Sequence, residues 1–361
     1  MSGPLILAIN PGSTSTKIAC YEGETEIFSE NIDHPEDVLK TYKTIAAQLP
    51  YRLEAIEKFI KDKGIDAKAL GAIAARGGLM KPVKAGVYKI TNEMVEDLRE
   101  SKERWGTEHA SNLGAMIALM LSKKYGVPAF TADPVTVDEL EDVARVSGVP
   151  EIKRISHLHA LNIRAMMKRA AAELMLPVGQ WNFVVAHLGS GTSVAAIRAG
   201  KIIDVNNALL GMGPFSPLRA GALPTGDLLG LAYSGAYTKE QLERKLVYRS
   251  GLMGYTGTND AREVERRIFQ GDREAGLIYD AMAYQLSKEI AAMAAVLKGD
   301  VRAVVLTGGV ANSRKFVAKV EERVGFIARV MAYPGEAEMS SLAAYARGAL
   351  EGTETVLEYG D

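Results

Sequence analysis

Two stretches of the chain repeat one another at a fixed offset. Sliding the sequence by 177 positions lays Leu5 to Gly23 (LILAINPGSTSTKIACYEG) over Asn182 to Gly200 (NFVVAHLGSGTSVAAIRAG) without a gap. Gly12 falls on Gly189, Ser13 on Ser190, Ala19 on Ala196 and Gly23 on Gly200. Each copy reads as an apolar run, a bend rich in Gly, Ser and Thr, and a second apolar run ending at glycine, which predicts a strand-turn-strand hairpin. Bends so poor in bulky side chains offer N–H groups and hydroxyls to the oxygens of an anion. The repeat therefore predicts a duplicated fold in which two bends grip a polyphosphate from both sides.

The 361 residues suffice for two domains with sizeable cores. An apolar content of 47% and a charged content of 24% are those of an ordinary globular protein, and a formal net charge of −1 gives no reason to expect a nucleic acid or anionic membrane as partner. Cys20 is the single cysteine, and no Cys/His cluster has zinc-ligand spacing, which excludes an internal disulfide and predicts a reducing, cytoplasmic setting. The opening MSGPLILAIN lacks a basic leader, and no stretch approaches the ~20 apolar residues of a membrane span.

Along the chain, helical spacing of Leu53, Ile56, Phe59 and Ile60 predicts a helical region from Pro35 to Lys63, stopped by Gly64. A short strand, Ala72 to Ala75, ends at Arg76-Gly77-Gly78. Helices are expected over Asn92 to Glu100 and Ala110 to Tyr125, followed by a strand from Pro128 to Ala132 that ends at Asp133. Arg154 to Leu174 reads as a helix entered through His157 and His159. After the second hairpin, Asn206 to Gly226 is irregular, and helices fill most of Asp227 to Lys298. The strand Ala303 to Leu306 leads into Thr307-Gly308-Gly309, with Asn312 or Ser313 capping a helix to Val324, and a last helix covers Ser340 to Leu350. Alternating strands and helices predict an α/β class with layered sheets.

The chemistry-bearing residues sit at the ends of these elements. Asn10 to Lys17, with Gly12, Ser13 and Ser15, is one candidate phosphate clamp. His187 to Ser193, with Gly189, Ser190, Gly191 and Thr192, is the other. Neither fits the Walker pattern or the dinucleotide fingerprint, because each turn opens a second strand rather than a helix. The glycines of Gly308-Gly309, with Asn312 close behind, would let a flat ligand approach the backbone. Arg76 and Arg219 suit carboxylate or phosphoryl oxygens. Asp133 at a strand end could hold hydrated Mg2+, and Glu336 and Glu338 precede the last helix, where they would act on metal or charge its N-terminal end. Taken singly, each of these also has an ordinary structural explanation, such as an exposed turn, a surface ion pair or a helix end.

Together, in this order, the motifs resemble those of the acetate kinase family, part of the superfamily that also holds sugar kinases, Hsp70 and actin. Within the family the chain is most similar to the butyrate kinases, nearly end to end. The resemblance implies an actin-like, ribonuclease H-like ATPase fold with duplicated domains around a nucleotide cleft: residues 1–155 with the C-terminal helix 340–361, and residues 156–339. By position, Asn10 matches the family asparagine near metal and phosphates, Arg76 the arginine clamping substrate and transferring phosphoryl group, and Asp133 the carboxylate near Mg2+. His159 matches the active-site histidine that contacts the transition state, His187 the histidine of the second phosphate loop, and Glu338, ahead of Glu336, the metal-associated glutamate. Where acetate kinases carry Thr-Arg-Ser-Gly-Asp, this chain has Leu223-Pro224-Thr225-Gly226-Asp227, so Arg219 is the candidate for the second cation; the family's second-loop asparagine is Ser190 here.

The implied reaction is reversible, in-line transfer of the γ-phosphoryl group of MgATP to a short-chain carboxylate, giving acyl phosphate and ADP. A carboxylate with a pKa of roughly 4 to 5 is already ionised at pH 7, so no general base is required. Catalysis then rests on alignment and positive charge. Leu158 stands where acetate enzymes usually have phenylalanine, with Pro217 on the segment expected to face it. The smaller neighbour predicts butyrate, or branched C4–C5 acids, over acetate, each methylene being worth about 1 to 3 kcal/mol. Acetate or propionate kinase activity is the alternative, and a nucleotide-driven conformational protein of the Hsp70 and actin type is the alternative of another class. A homodimer or higher oligomer is expected, with Leu277 to Leu297 a candidate contact, as is hinge closure on nucleotide binding.

Overall fold

A computed structural model of the chain describes residues 3–105, 108–177 and 179–360. They divide into two units: Met1–Asp138 with Ala337–Asp361, and Glu139–Glu336. The sequence reading places the corresponding boundaries at 155 and 339. Residues from Glu139 onward belong with the second unit because Glu141 N–H donates to Ile203 O at 3.0 Å and Ile202 N–H to the Glu139 carboxylate at 3.0 Å.

In the first unit, β1 (Leu5–Pro11) and β2 (Ser15–Glu22) form the expected hairpin, with Asn10 opposite Lys17. β3 (Thr25–Asp33) extends it, and β4 (Leu70–Ala75) adds parallel to β1 on its other side. β5 (Val87–Lys89), β6 (Ala129–Ala132) and, at the far edge, β12 (Val356–Leu357) complete a sheet of order β12-β5-β6-β4-β1-β2-β3. Leu7 and Ile9 enter a core with Ile56, Ile60, Leu113 and Ile117 from helices Leu49–Asp62 and Asn112–Tyr125. Ile6 and Ala8, on the opposite face by strand alternation, are buried as well, and helix Glu338–Glu351 packs on β1, β4 and β6. A strand covered on both faces needs an unbroken apolar run, and Leu5 to Ile9 supplies it.

The second unit repeats the plan. β7 (Phe183–Leu188), β8 (Thr192–Arg198) and β9 (Lys201–Val205) form an antiparallel meander, β10 (Ala303–Gly308) adds parallel to β7, and β11 (Val330–Pro334) follows. The order β11-β10-β7-β8-β9 is that of β6-β4-β1-β2-β3. In both meanders the pairing of the second and third strands carries one irregularity, between Cys20 and Tyr21 and between Ala196 and Ile197. Helix Arg273–Val296 buries Tyr279, Leu286 and Ile290 in the core below this sheet. Each such fully buried side chain contributes about 2 kcal/mol of transfer free energy.

Some elements differ from expectation. The helix expected from Arg154 begins at Ala160, because the Arg154 guanidinium is drawn to Asp204 at 2.6 Å and to Val205 O at 3.1 Å, which holds its segment along β9. Between Pro35 and Lys63 only Leu49–Asp62 is a long helix, preceded by one turn at Glu36–Leu39 and a 3-10 turn at Ala46–Gln48. The last helix starts at Glu338 rather than Ser340, and Ser313 rather than Asn312 is the cap of helix Arg314–Val324.

Candidate active site

The first glycine turn is held by its carbonyls. Arg52, fully buried on helix Leu49–Asp62, donates from one terminal nitrogen to Gly12 O at 2.8 Å and Ser15 O at 3.0 Å, and from the other to Ser13 O at 2.9 Å. His34 N–H takes Thr14 O at 2.8 Å. All four carbonyls from Gly12 to Ser15 are thus engaged. In a trans peptide the next N–H points opposite to the carbonyl, so the amides of Ser13, Thr14 and Ser15 are directed away from Arg52 and His34. Ser13 and Thr14 are exposed, as is Lys17.

The second turn uses the same device with neutral partners. Ser190 O accepts from Ser216 Oγ at 2.6 Å and Leu218 N–H at 3.2 Å, Gly191 O from Gly189 N–H at 3.1 Å, and Thr192 O from Asn206 Nδ2 at 2.9 Å. A Cβ on Gly191 would lie 2.0 Å from a terminal nitrogen of Arg219 and would push the guanidinium aside. The Arg219 guanidinium therefore lies close against the turn, and it also donates to Ala208 O.

Within the first unit the fold gathers three of the residues expected to act. Glu338 opens helix Glu338–Glu351, and its Oε2 accepts from Arg76 at 2.8 Å and from Asn10 Nδ2 at 2.7 Å. Arg76 reaches this point from the end of β4, and Asn10 from the end of β1. The helix N-terminus adds favourable potential for the Glu338 carboxylate, which is 3% exposed. Gly77 and Gly78 let the segment after Arg76 pack closely on its neighbours, since a Cβ on Gly78 would lie 2.2 Å from Asn112 Oδ1 and one on Gly77 2.6 Å from the Pro134 ring. Asp133 is buried in a network of its own, accepting from Gly86 N–H at 2.9 Å and Tyr345 Oη at 2.7 Å.

Within the second unit, the rings of His159 and His187 stack with centroids 4.0 Å apart and planes 16° apart. His159, immediately before helix Ala160–Glu173, has Nδ1 at 2.8 Å from Ser193 Oγ. His187 ends β7; Asn162 Nδ2 donates to its Nδ1 at 2.8 Å and to Thr307 Oγ1 at 3.1 Å. An amide donor on Nδ1 assigns the neutral ring's proton to Nε2, which lies 3.6 Å from Glu336 Oε1. Glu336 and Glu338 thus have different partners.

Gly308 adopts φ +90°, and a Cβ on it would meet Leu188 O at 2.5 Å, so only glycine allows β10 to approach the end of β7. Gly309 opens the 3-10 turn Gly309–Asn312, where Asn312 Nδ2 returns to Gly309 O at 2.9 Å. Leu158 and Pro217 are both buried in the second unit. A cavity of about 490 Å³ in that unit is walled by Leu209, Leu210, Met212, Leu223 and Leu246, with Arg219 as its charged group.

Two polar side chains in these clusters escaped the sequence reading. Arg52 shares the buried stripe of its helix with Ile56, Phe59 and Ile60, and a charged residue on an apolar stripe is a signal in itself. Asn162 stands one helical turn after His159 and left no such trace.

The donor set also bears on a divalent metal. Among the described residues no cluster of three or more His, Cys, Asp or Glu could hold an ion. Mg2+ keeps several waters and takes one or two carboxylates beside substrate phosphates, so none is needed. Glu338 fits that role through Oε1, its Oε2 being committed to Asn10 and Arg76. No helix among the described residues is long and apolar enough to cross a membrane.

The family model described as "Acetokinase family" matches residues 152–332. "Probable butyrate kinase 2" of Caldanaerobacter subterraneus subsp. tengcongensis is 51% identical over 98% of this chain and 99% of the relative. "Butyrate kinase 2" of Clostridium acetobutylicum is 46% identical, with the same coverage. Among solved structures, Porphyromonas gingivalis acetate kinase superposes with a TM-score of 0.78 at 20% identity, covering 96% of this chain and 99% of the other. That likeness establishes the fold, the two-domain actin-like ATPase architecture.

Proposed function

The chain belongs to the acetokinase family, and from that premise we propose that it is a butyrate kinase, transferring the γ-phosphoryl group of MgATP reversibly to butyrate or a branched short-chain acid. The observation that carries the chemical reading is the position of Arg76. A guanidinium anchored by a buried glutamate and backed by an asparagine is a fixed cation, suited to drawing a carboxylate and a phosphoryl group together. The choice of acid rests on the names of the two relatives at 46% and 51% identity.

In this reading the turns at residues 10–17 and 187–193 take the nucleotide's phosphates on their outward amides; Gly309, where a Cβ would meet nothing within 4 Å, leaves room for the nucleoside, and Gly308 shapes the turn before it. A carboxylate oxygen forms the new bond to the γ-phosphorus as the bond to the β-γ bridging oxygen breaks, and the electron pair leaves with ADP. No proton moves, so no base is required. Arg76 and the His159 ring stabilise charge on the equatorial oxygens, with Arg219 as the second cation. Glu338 and Asn10 would hold Mg2+, with Asp133 supporting that region from its network with Tyr345; the ion's contribution is neutralisation of phosphate charge. The acyl tail lies against Leu158 and Pro217. Supplying butyryl phosphate and MgADP and measuring ATP by luminescence tests the proposal: ATP must appear, and at wild-type protein without ATP formation the reading fails.

A further inference from the structure

Buried arginines ordinarily have a carboxylate partner, because an unpaired charge is costly to desolvate. Arg154, only partly buried, has such a partner in Asp204 at 2.6 Å. Arg52 does not. It is fully buried, and no carboxylate among the described residues pairs with it. Its donors go to Gly12 O, Ser13 O, Ser15 O, Thr16 Oγ1 at 3.2 Å and Gln48 Oε1 at 2.9 and 3.1 Å, all neutral acceptors.

The neighbouring histidine brings no second charge. Thr16 Oγ1 accepts from Arg52 and lies 2.9 Å from His34 Nε2, while His34 Nδ1 has no partner. Burial and the Arg52 charge hold the His34 pKa down to about 4, while burial lowers that of Arg52 only to about 10. At neutral pH the region behind the turn therefore carries one uncompensated positive charge. The carbonyls of the second turn are held instead by Ser216, Leu218, Gly189 and Asn206, and the guanidinium beside it, that of Arg219, lies against Gly191.

We propose that Arg52 is the positioning residue of the first phosphate turn: it pins the carbonyls of Gly12, Ser13 and Ser15 inward, aims the following amides outward, and adds a buried positive charge that a nucleotide's phosphates neutralise. The anion is the counter-ion that the fold omits. Backbone nests bind anions through such converging amides, and fixing them beforehand removes the ordering cost on binding. This inference rests on the reading of residues 10–17 as a phosphate-binding turn.

Arg52→Lys keeps the charge but cannot span three carbonyls with one ammonium, and Arg52→Met removes both functions. The expected result is a rise in KM for MgATP of about tenfold for Arg52→Lys and about a hundredfold for Arg52→Met, with KM for butyrate within twofold of wild type. A purely structural pin would lower stability and the active fraction while leaving both KM values unchanged. Folded Arg52→Lys protein with a wild-type KM for MgATP, or with both KM values raised equally, overturns the proposal. Should both variants fail to fold, Gln48→Leu, which removes the acceptor of two guanidinium nitrogens, decides it by the same split, with about a threefold rise expected. Failure of the kinase reading itself is distinguishable, since unmodified protein would then form no acyl phosphate. Calorimetric titration with ADP in that case decides on binding alone: weaker binding by Arg52→Lys supports the role of Arg52, and equal binding removes it.

Discussion

The imidazoles of His159 and His187 lie face to face, 4.0 Å between centroids, each ring held from its own side by a different polar partner. Two imidazolium charges at this separation would repel by about 4 kcal/mol at an effective dielectric constant of 20, which disfavours charge on both rings at once. Ser193 fixes the His159 end, through both the ring Nδ1 and the backbone N–H. Ser193→Ala is expected to reduce kcat about tenfold and to cost about 1 kcal/mol of stability, read by steady-state kinetics and thermal denaturation. Unchanged kcat would detach the His159 orientation from turnover.

Arg76 and Glu338 make a pair whose two members fail differently. Arg76→Ala is expected to lower kcat by about a thousandfold while ADP binding stays within a few-fold, as for other preorganised cations at a reacting phosphoryl group. It also leaves Glu338, 3% exposed, without its cation, at a cost of about 3 kcal/mol. The double variant Arg76→Ala/Glu338→Gln should therefore be more stable than Arg76→Ala alone and no more active. Denaturant titration of the two proteins separates the stability effect from the catalytic one.

Gly191 tests Arg219. An alanine Cβ would fall 2.0 Å from the Arg219 guanidinium and must displace it. Gly191→Ala is expected to cost most of the activity lost in Arg219→Ala, and the double variant should be little worse than either single one. Additive losses in this cycle would show that Gly191 and Arg219 act independently.

His34 gives the fold a defined acid sensitivity. Its pKa is lowered to about 4, first by desolvation and then by the charge of Arg52. Unfolded, it titrates near 6.5. The unfolded chain then binds more protons between these values, so stability is fully present above pH 6.5 and is lost as pH falls toward 4. The expected loss is about 3 kcal/mol from this group. Urea titrations of His34→Gln between pH 4 and 7 should show a flatter profile than wild type, and parallel profiles would remove His34 as the source.

Legibility in the sequence followed burial. The two hairpins were readable because strands such as Leu5–Pro11 and Phe183–Leu188 are apolar throughout and end in glycine turns, and their echo disclosed the duplication seen in the matching sheet orders. β3 was not readable: it exposes most of its side chains at a sheet edge and shows no alternation for a pattern to detect. The segment before Ala160 read as helix because local periodicity knows nothing of Asp204, which captures Arg154 from fifty residues away. Asn10, Arg76 and Glu338 could be proposed one by one from the ends of elements. Their sharing of one carboxylate oxygen is a product of tertiary structure, as is the capture of the first turn by Arg52.

The central claim is that positive charge fixed around a phosphate-binding turn lets a carboxylate take a phosphoryl group directly from ATP. Incubating the protein with MgATP, hydroxylamine and straight-chain acids from C2 to C6 reads acyl phosphate formation as coloured hydroxamate. The account predicts colour that depends on added acid, is greatest at butyrate, weak at acetate, and nearly lost in Arg76→Ala. ATP consumed at the same rate with and without acid, and no hydroxamate from any of them, would contradict it.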